Sequence, residues 1–214
     1  MLRAKSNGNC YVCGQTLSKA GMKTHIAKAN AEGGTEKCTL LKIEGNNKGY
    51  WLFVDIPQTA TLSVLDGFMR AIWLECCGHM SEFYHKPHNE IDMDEKIGDF
   101  DEGMSICHDY DMGSTTTCII TSCGETSRKK QKEPVRLLAR NEPFSAECAG
   151  CGEKASCLCT ECAWDDDNPH YCEKCGVKHE HDDMFMPIVN SPRSGVCGYG
   201  DDEDLSAFDP KKLG

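Results

Sequence analysis

The chain has 214 residues, 39% of them hydrophobic, sixteen cysteines and a formal charge of −11. That length admits one large or two to three small domains with a real core. No stretch approaches the roughly eighteen apolar residues of a membrane span, and an acidic balance excludes a surface built throughout for polyanions.

The charge is segregated. Residues 1–45 carry seven Lys/Arg against three acids, 75–112 eleven acids against two lysines, and 145–214 fifteen acids against six basic residues. A second basic island holds Arg128, Lys129, Lys130, Lys132, Arg136 and Arg140. The plain reading of both islands is solvated surface; the other is phosphate contact. Met1 to Lys5 lacks an apolar segment of the kind that follows the charges of a signal peptide. Clustered C-x-x-C pairs in such a chain read as metal ligands before disulfides, so a reducing, cytoplasmic setting is expected.

In chain order, Cys10-Tyr11-Val12-Cys13-Gly14 is a knuckle, with the glycine at its tight turn. A helix should follow over 18–28, with Ser18 as N-cap and Met22 and Ile26 on one face. Cys10, Cys13 and His25 are three candidate ligands. Nothing chelating lies three to five residues after His25, so Cys38 is the expected fourth. The alternative leaves Cys38 as a core thiol. The same helix presents Lys19, Lys23 and Lys28 as candidate phosphate contacts for a nucleic acid.

A glycine-rich join, Gly45 to Gly49, opens the middle region. Tyr50 to Ile56 is aromatic and β-branched and reads as a buried strand ended by Pro57. Leu62, Leu65, Phe68, Met69, Ile72, Trp73 and Cys76 repeat at helical spacing, one apolar face against a sheet. Ser63 to Asp66 has capping-box spacing, and Gly78 is placed to end the helix. Strands are expected over 81–85, 105–110, 115–122 and 135–139, with an acidic loop at 90–102. Asp111 sits in a hairpin turn as the residue of an Asx-turn. Cys107, Cys118 and Cys123 read as buried small hydrophobes. Cys76, Cys77 and His79 are the one candidate reactive group, and a thiol at a helix C-terminus should have a raised pKa.

Beyond Pro143 comes a ligand list: Cys148, Cys151, Cys157, Cys159, Cys162, Cys172, Cys175, His179 and His181. A C-x-x-C turn aims two thiolates at one tetrahedral ion, and sulfur with imidazole selects zinc over magnesium or calcium. The segment has few aliphatic residues, so the metal must supply the missing stability, roughly 10–16 kcal/mol for a structural zinc. A crossed arrangement pairs Cys148, Cys151, Cys172 and Cys175 on one ion and Cys159, Cys162, His179 and His181 on another. Cys157 competes with Cys159, and His170 or Cys197 with one histidine. Closed four-ligand sets are structural rather than catalytic. Asp165 to Asp167 and Asp201 to Asp204 read as solvated acidic runs.

Three resemblances accompany these readings. The Cys10–His25 spacing resembles a two-Cys, two-His finger, one residue short between the second and third ligands. The C-terminal module resembles RING- and MYND-like modules, with a departure in spacing. Trp73-Leu74-Glu75-Cys76-Cys77-Gly78-His79-Met80-Ser81-Glu82-Phe83, followed by Tyr110-Asp111-Met112-Gly113-Ser114, resembles the plasmid pRi ORF-three-like family over about residues 48–140. Val189 to Tyr199 is similar to the tail of its zinc-bearing members. The resemblance implies an α+β fold. Its resolvase-like label implies no recombinase chemistry, since the sequence shows no nucleophilic serine among arginines.

The expected organisation is therefore α+β: a central antiparallel sheet with one packed helix, flanked by small zinc-stabilised modules. Residues 1–45 form a finger-like knuckle, 46–142 the core, 143–200 the Cys/His-rich module and 201–214 an acidic tail. About three zinc ions are expected. The expected function is non-enzymatic recognition of a nucleic acid through the knuckle or of a protein through the C-terminal module. The alternative is a thiol- or metal-dependent hydrolase using Cys76, Cys77 and His79.

Overall fold

A computed structural model describes residues 7–29, 33–45, 49–165, 168–200 and 205–211. The fold is α+β. Its elements run β1 (Asn7–Cys10), β2 (Thr16–Ser18), α1 (Lys19–Ala29), β3 (Glu36–Gly45), β4 (Trp51–Pro57) and α2 (Leu62–Met69), which continues as one π-turn over Arg70–Leu74. Then come β5 (Ser81–His85), β6 (Asn89–Ile91), β7 (Ser105–Tyr110), β8 (Thr116–Arg128) and β9 (Arg136–Asn141). The C-terminal region adds β10 (Cys157–Cys159), α3 (Cys162–Asp165), β11 (His170–Tyr171), α4 (Glu173–Gly176) and β12 (Phe185–Pro187).

The first nine strands form one antiparallel sheet in the order β2-β1-β9-β4-β3-β8-β7-β5-β6. β4 lies near its centre and is buried along its whole length, because both faces of the sheet are covered. Alternation sends Leu52, Val54 and Ile56 towards α2, where they pack with Leu65, Phe68, Ile72 and Trp73. Trp51 and Phe53 face the other way and pack with Met22 and Ile26 of α1. The run Tyr50 to Ile56 is continuously apolar for that reason.

Asp55 continues the Trp51 and Phe53 face and is fully buried. It accepts from Arg128 Nη1 at 2.7 Å and Arg136 Nε at 2.9 Å, while Arg128 Nε also donates to Glu36 at 2.9 Å. Arg140 is buried too and donates to the Asn190 carbonyl. Three arginines of the second basic island are therefore interior ion-pair and hydrogen-bond donors, not solvated surface. Only Lys129, Lys130 and Lys132 of that island are exposed.

Several boundaries differ from expectation. β3 is a ten-residue central strand that the pattern did not suggest, and β1 pairs with β9. β1, β2 and β3 therefore belong to the same sheet as the strands that follow. Thr61, not Ser63, is the N-cap of α2. The first amides of that helix, Leu62 and Ser63, donate to the carbonyls of Glu95 and Met93 in the acidic segment. Gly78 has φ +79° but lies beyond the helical residues, which end at Leu74. β6 and a 3-10 turn over Ile97–Asp99 interrupt the expected acidic loop.

Part of the expected acidic tail is packed. Phe208 lies edge-on to Phe68 at 4.9 Å, and its carbonyl accepts from Leu137 N–H. Asp166, Asp167 and Asp201 to Asp204 lie outside the described residues. Among the described residues, no helix is long and apolar enough to cross a membrane.

Candidate metal centres

Among the described residues, four groups of Cys and His place one donor atom from each member within 4.8 Å of the others. A tetrahedron with metal–sulfur bonds of about 2.3 Å and metal–nitrogen bonds of about 2.0–2.1 Å has S–S edges of about 3.8 Å and S–N edges of about 3.5 Å. The separations below fall near those edges, so the donor sets fit a metal ion of that size. All sixteen cysteines are unbridged.

The N-terminal group is Cys10, Cys13 and His25. Gly14 N–H donates to the Cys10 carbonyl at 2.7 Å and closes the knuckle with φ +81°. Ser18 Oγ accepts from Gly21 N–H at the start of α1, which carries His25 to 3.1 Å from Cys13 Sγ. Cys38 is not brought to this group. It lies fully buried in β3 with Sγ against the Glu36 carbonyl, and burial pushes its thiol up to about 12. The lure in the sequence was spacing alone. Among the described residues no fourth Cys, His, Asp or Glu completes the set.

The C-terminal module brings together Cys148, Cys151, Cys172 and Cys175, and separately Cys159, Cys162, His179 and His181. The first set sits on two turns: Gly152 N–H donates to the Cys148 carbonyl, and Gly176 N–H to that of Cys172. Cys151 and Cys172 sulfurs are 3.7 Å apart. In the second set, Cys162 Sγ is 3.2 Å from His179 Nε2 and 3.7 Å from His181 Nδ1, and Cys159 Sγ is 3.8 Å from the same Nδ1.

Four adjacent thiols cannot all ionise without a cation between them. Hydrogen bonding to the backbone at Cys172, with help from Gly150 and Cys151, holds Cys148 down at about 6 despite burial. The sulfurs of Cys151, Cys172 and Cys148 push Cys175 up to about 12. A divalent ion removes that conflict.

Two alternative ligands lie outside these sets. Cys157, on β10, bonds the Tyr171 carbonyl at 3.2 Å, and His170 Nδ1 pairs with Asn168 at 2.9 Å. The three short strands pair in the order β11-β10-β12, and β10 carries Cys159 of the second set.

The fourth group is Cys76, Cys77, His79 and Cys197. His79 Nε2 is 3.0 Å from Cys77 Sγ and 3.3 Å from Cys197 Sγ; the Cys76–Cys77 and Cys77–Cys197 sulfur pairs are 3.7 and 3.9 Å apart. From the sequence, Cys76, Cys77 and His79 are a candidate reactive group and Cys197 an alternative ligand for the C-terminal module. About 120 positions separate Cys77 from Cys197, and no local spacing could join them. The expected rise in thiol pKa is found at Cys77, which the Cys76 sulfur pushes up to about 11, and is reversed at Cys76. Burial alone raises the Cys76 pKa, but the Arg193 guanidinium, with Cys77 and Tyr110, outweighs it and lowers it.

Lys19 Nζ is 2.7 Å from Glu44 and Lys23 Nζ is 3.5 Å from Glu102, while Lys28 is exposed on α1.

No family model matches the chain, and no curated protein matches it. Among solved structures, the chain is similar to a protein of unknown function, MM3350, from Methanosarcina mazei Go1. The two share 18% identity over 84% of this chain and 98% of that one, with a TM-score of 0.47.

Proposed function

We propose that this chain is a non-enzymatic, zinc-organised binding protein whose C-terminal module engages a protein partner. Zinc is the ion the donor types favour: thiolate and imidazole sets without hard oxygen ligands suit a borderline-soft ion with no demand for a particular geometry. The observation that carries the reading is the closure of both C-terminal sets. Each offers four donors, leaving no coordination position for water, which is the mark of a structural ion.

Protein recognition is favoured over nucleic-acid recognition by the fate of the basic residues. Lys19 and Lys23 have acidic neighbours, Arg128 and Arg136 are buried against Asp55, and residues 145–214 are strongly acidic. The resemblance to the plasmid pRi ORF-three-like family belongs to this proposal as a fold relationship and adds no activity to it. A reducing, cytoplasmic setting accords with so many unbridged thiols.

The test is a titration of the zinc-loaded full chain with single- and double-stranded oligonucleotides at 50 and 200 mM salt. Expected is no binding tighter than the non-specific range of about 10⁻⁴–10⁻⁶ M. Tighter binding that weakens steeply with salt overturns the reading in favour of a nucleic-acid partner.

A further inference from the structure

We infer that Cys76, Cys77, His79 and Cys197 form a fourth zinc site, which clasps residues 189–199 onto the central sheet. This goes beyond the proposed function and shares with it only the identity of the ion. Three features carry it.

The donors converge from two distant segments. Cys76, Cys77 and His79 follow the end of the long helix, whereas Cys197 arrives on a segment leaving the C-terminal module. Their sulfur and nitrogen separations of 3.0–3.9 Å match the edges of one tetrahedron.

The backbone is held out of its ordinary range there. The non-glycine residues with positive φ among those described are Asp111 (+64°) and Cys197 (+51°), and both lie at this site. A left-handed cysteine is uncommon and persists where its surroundings fix it, as a metal ligand bound to the opposite segment would.

A second layer of contacts orients the ligands, as it does around metal centres. Arg193 Nη2 donates to Cys76 Sγ at 3.4 Å and to Asp111 Oδ2 at 2.5 Å. Glu75 accepts from Gly78 N–H and from Tyr110 O–H, fixing the turn between Cys76 and His79, and Arg70 donates to the His79 carbonyl at 2.8 Å. Both guanidinium groups, of Arg70 and Arg193, sit 4.9 Å from the Tyr110 ring centroid. Three thiolates and one imidazole around a divalent ion carry one net negative charge, and the adjacent Arg193 compensates it.

The experiment measures zinc per chain in the purified, dialysed full-length protein and in two variants, with hydrogen exchange followed at 189–199. Wild type should hold one more ion than Cys197→Ser, and exchange in 189–199 should accelerate at least tenfold in that variant. Cys197→His keeps a donor and tolerates a left-handed backbone, so it should restore both the ion and the protection. This variant decides the matter even where Cys197→Ser folds poorly. Equal zinc in wild type and Cys197→Ser, or a folded Cys197→His lacking the extra ion, overturns the inference. If wild type and both variants hold three ions, only this site fails. No zinc in wild type removes the proposed function's ion as well.

Discussion

Arg193 and Asp111, eighty-two positions apart, form a buried ion pair with Nη2 2.5 Å from Oδ2. Arg193 is 0% exposed, and its other terminal nitrogen donates to the Ser114 carbonyl and to Thr116 Oγ1. Asp111 uses its remaining oxygen to accept from Gly113 and Ser114 N–H, the expected Asx-turn. One arginine from the C-terminal segment thus completes the hairpin between β7 and β8. Arg193→Met should leave that hairpin formed but loosen residues 189–199, raising their hydrogen exchange on the order of tenfold. Unchanged exchange there would show that other contacts hold the segment.

Asp55 sets a second buried test. It balances Arg128 and Arg136, which are 1% exposed each, and is itself 0% exposed. Asp55→Ala leaves two interior guanidiniums short of their partner, a change that costs about 3–5 kcal/mol when one member of a buried pair is removed. Urea unfolding should show a lower midpoint with an unchanged slope. A loss below about 1 kcal/mol would mean that Glu36 and the Pro134 carbonyl suffice for Arg128.

Asp66 gives a pH dependence with a definite sign. Burial alone raises its pKa, but hydrogen bonds from His108, Ser81 and Arg70 outweigh burial and hold it down at about 2. A carboxylate depressed in the fold stabilises fully above its ordinary value near 3.9 and loses that contribution as pH falls through about 2. The stability gap between wild type and Asp66→Asn should therefore be widest above pH 5, narrow below pH 4 and close near pH 2. A carboxyl carbon resonance of Asp66 that titrates near 4 would refute the assignment.

The ligand pairs were legible because a C-x-x-C turn is local: two thiolates three residues apart need no tertiary information. α2 and β4 were legible for the same kind of reason, a seven-position apolar face and a continuous apolar run. β3 was not. Its pattern, Glu36-Lys37-Cys38-Thr39-Leu40-Leu41-Lys42-Ile43-Glu44, mixes charge into a central strand, and Cys38 drew it towards the wrong module. Lys42 and Glu44 are tolerated there because they pair with each other at 2.5 Å on a half-buried face. The burial of Arg128 and Arg136 was equally hidden, since their partner Asp55 lies in an apolar run 73 and 81 residues away. Cys197 completes its group across a still longer separation, 120 positions from Cys77.

Chelation separates the two sheets. The small sheet β11-β10-β12 has strands of two or three residues, and in the proposed reading bound metal holds it together. The large sheet has a continuous core from Leu41 and Ile43 through Trp73 to Leu137. A strong chelator should abolish amide protection over 148–187 and leave it over 36–45, 51–57 and 116–128. Protection that survives in both regions would show that the module stands without metal.

At Gly195 the C-terminal segment passes against Leu158 of the small sheet. It has φ +78°, and a Cβ placed there meets Leu158 Cδ1 at 2.6 Å. Gly195→Ala therefore carries two penalties: a left-handed backbone for an L-residue, about 1–2 kcal/mol, and displacement of a side chain that is 6% exposed on β10. Leu158 is flexible at its tip, so the clash alone is relieved by Leu158→Ala while the backbone penalty remains. Thermal melting should show Gly195→Ala destabilised. Making the same glycine change in a Leu158→Ala background should cost less, with the difference measuring the steric share. Equal costs in the two backgrounds would assign the whole effect to the backbone and remove Leu158 as a contact that positions this segment.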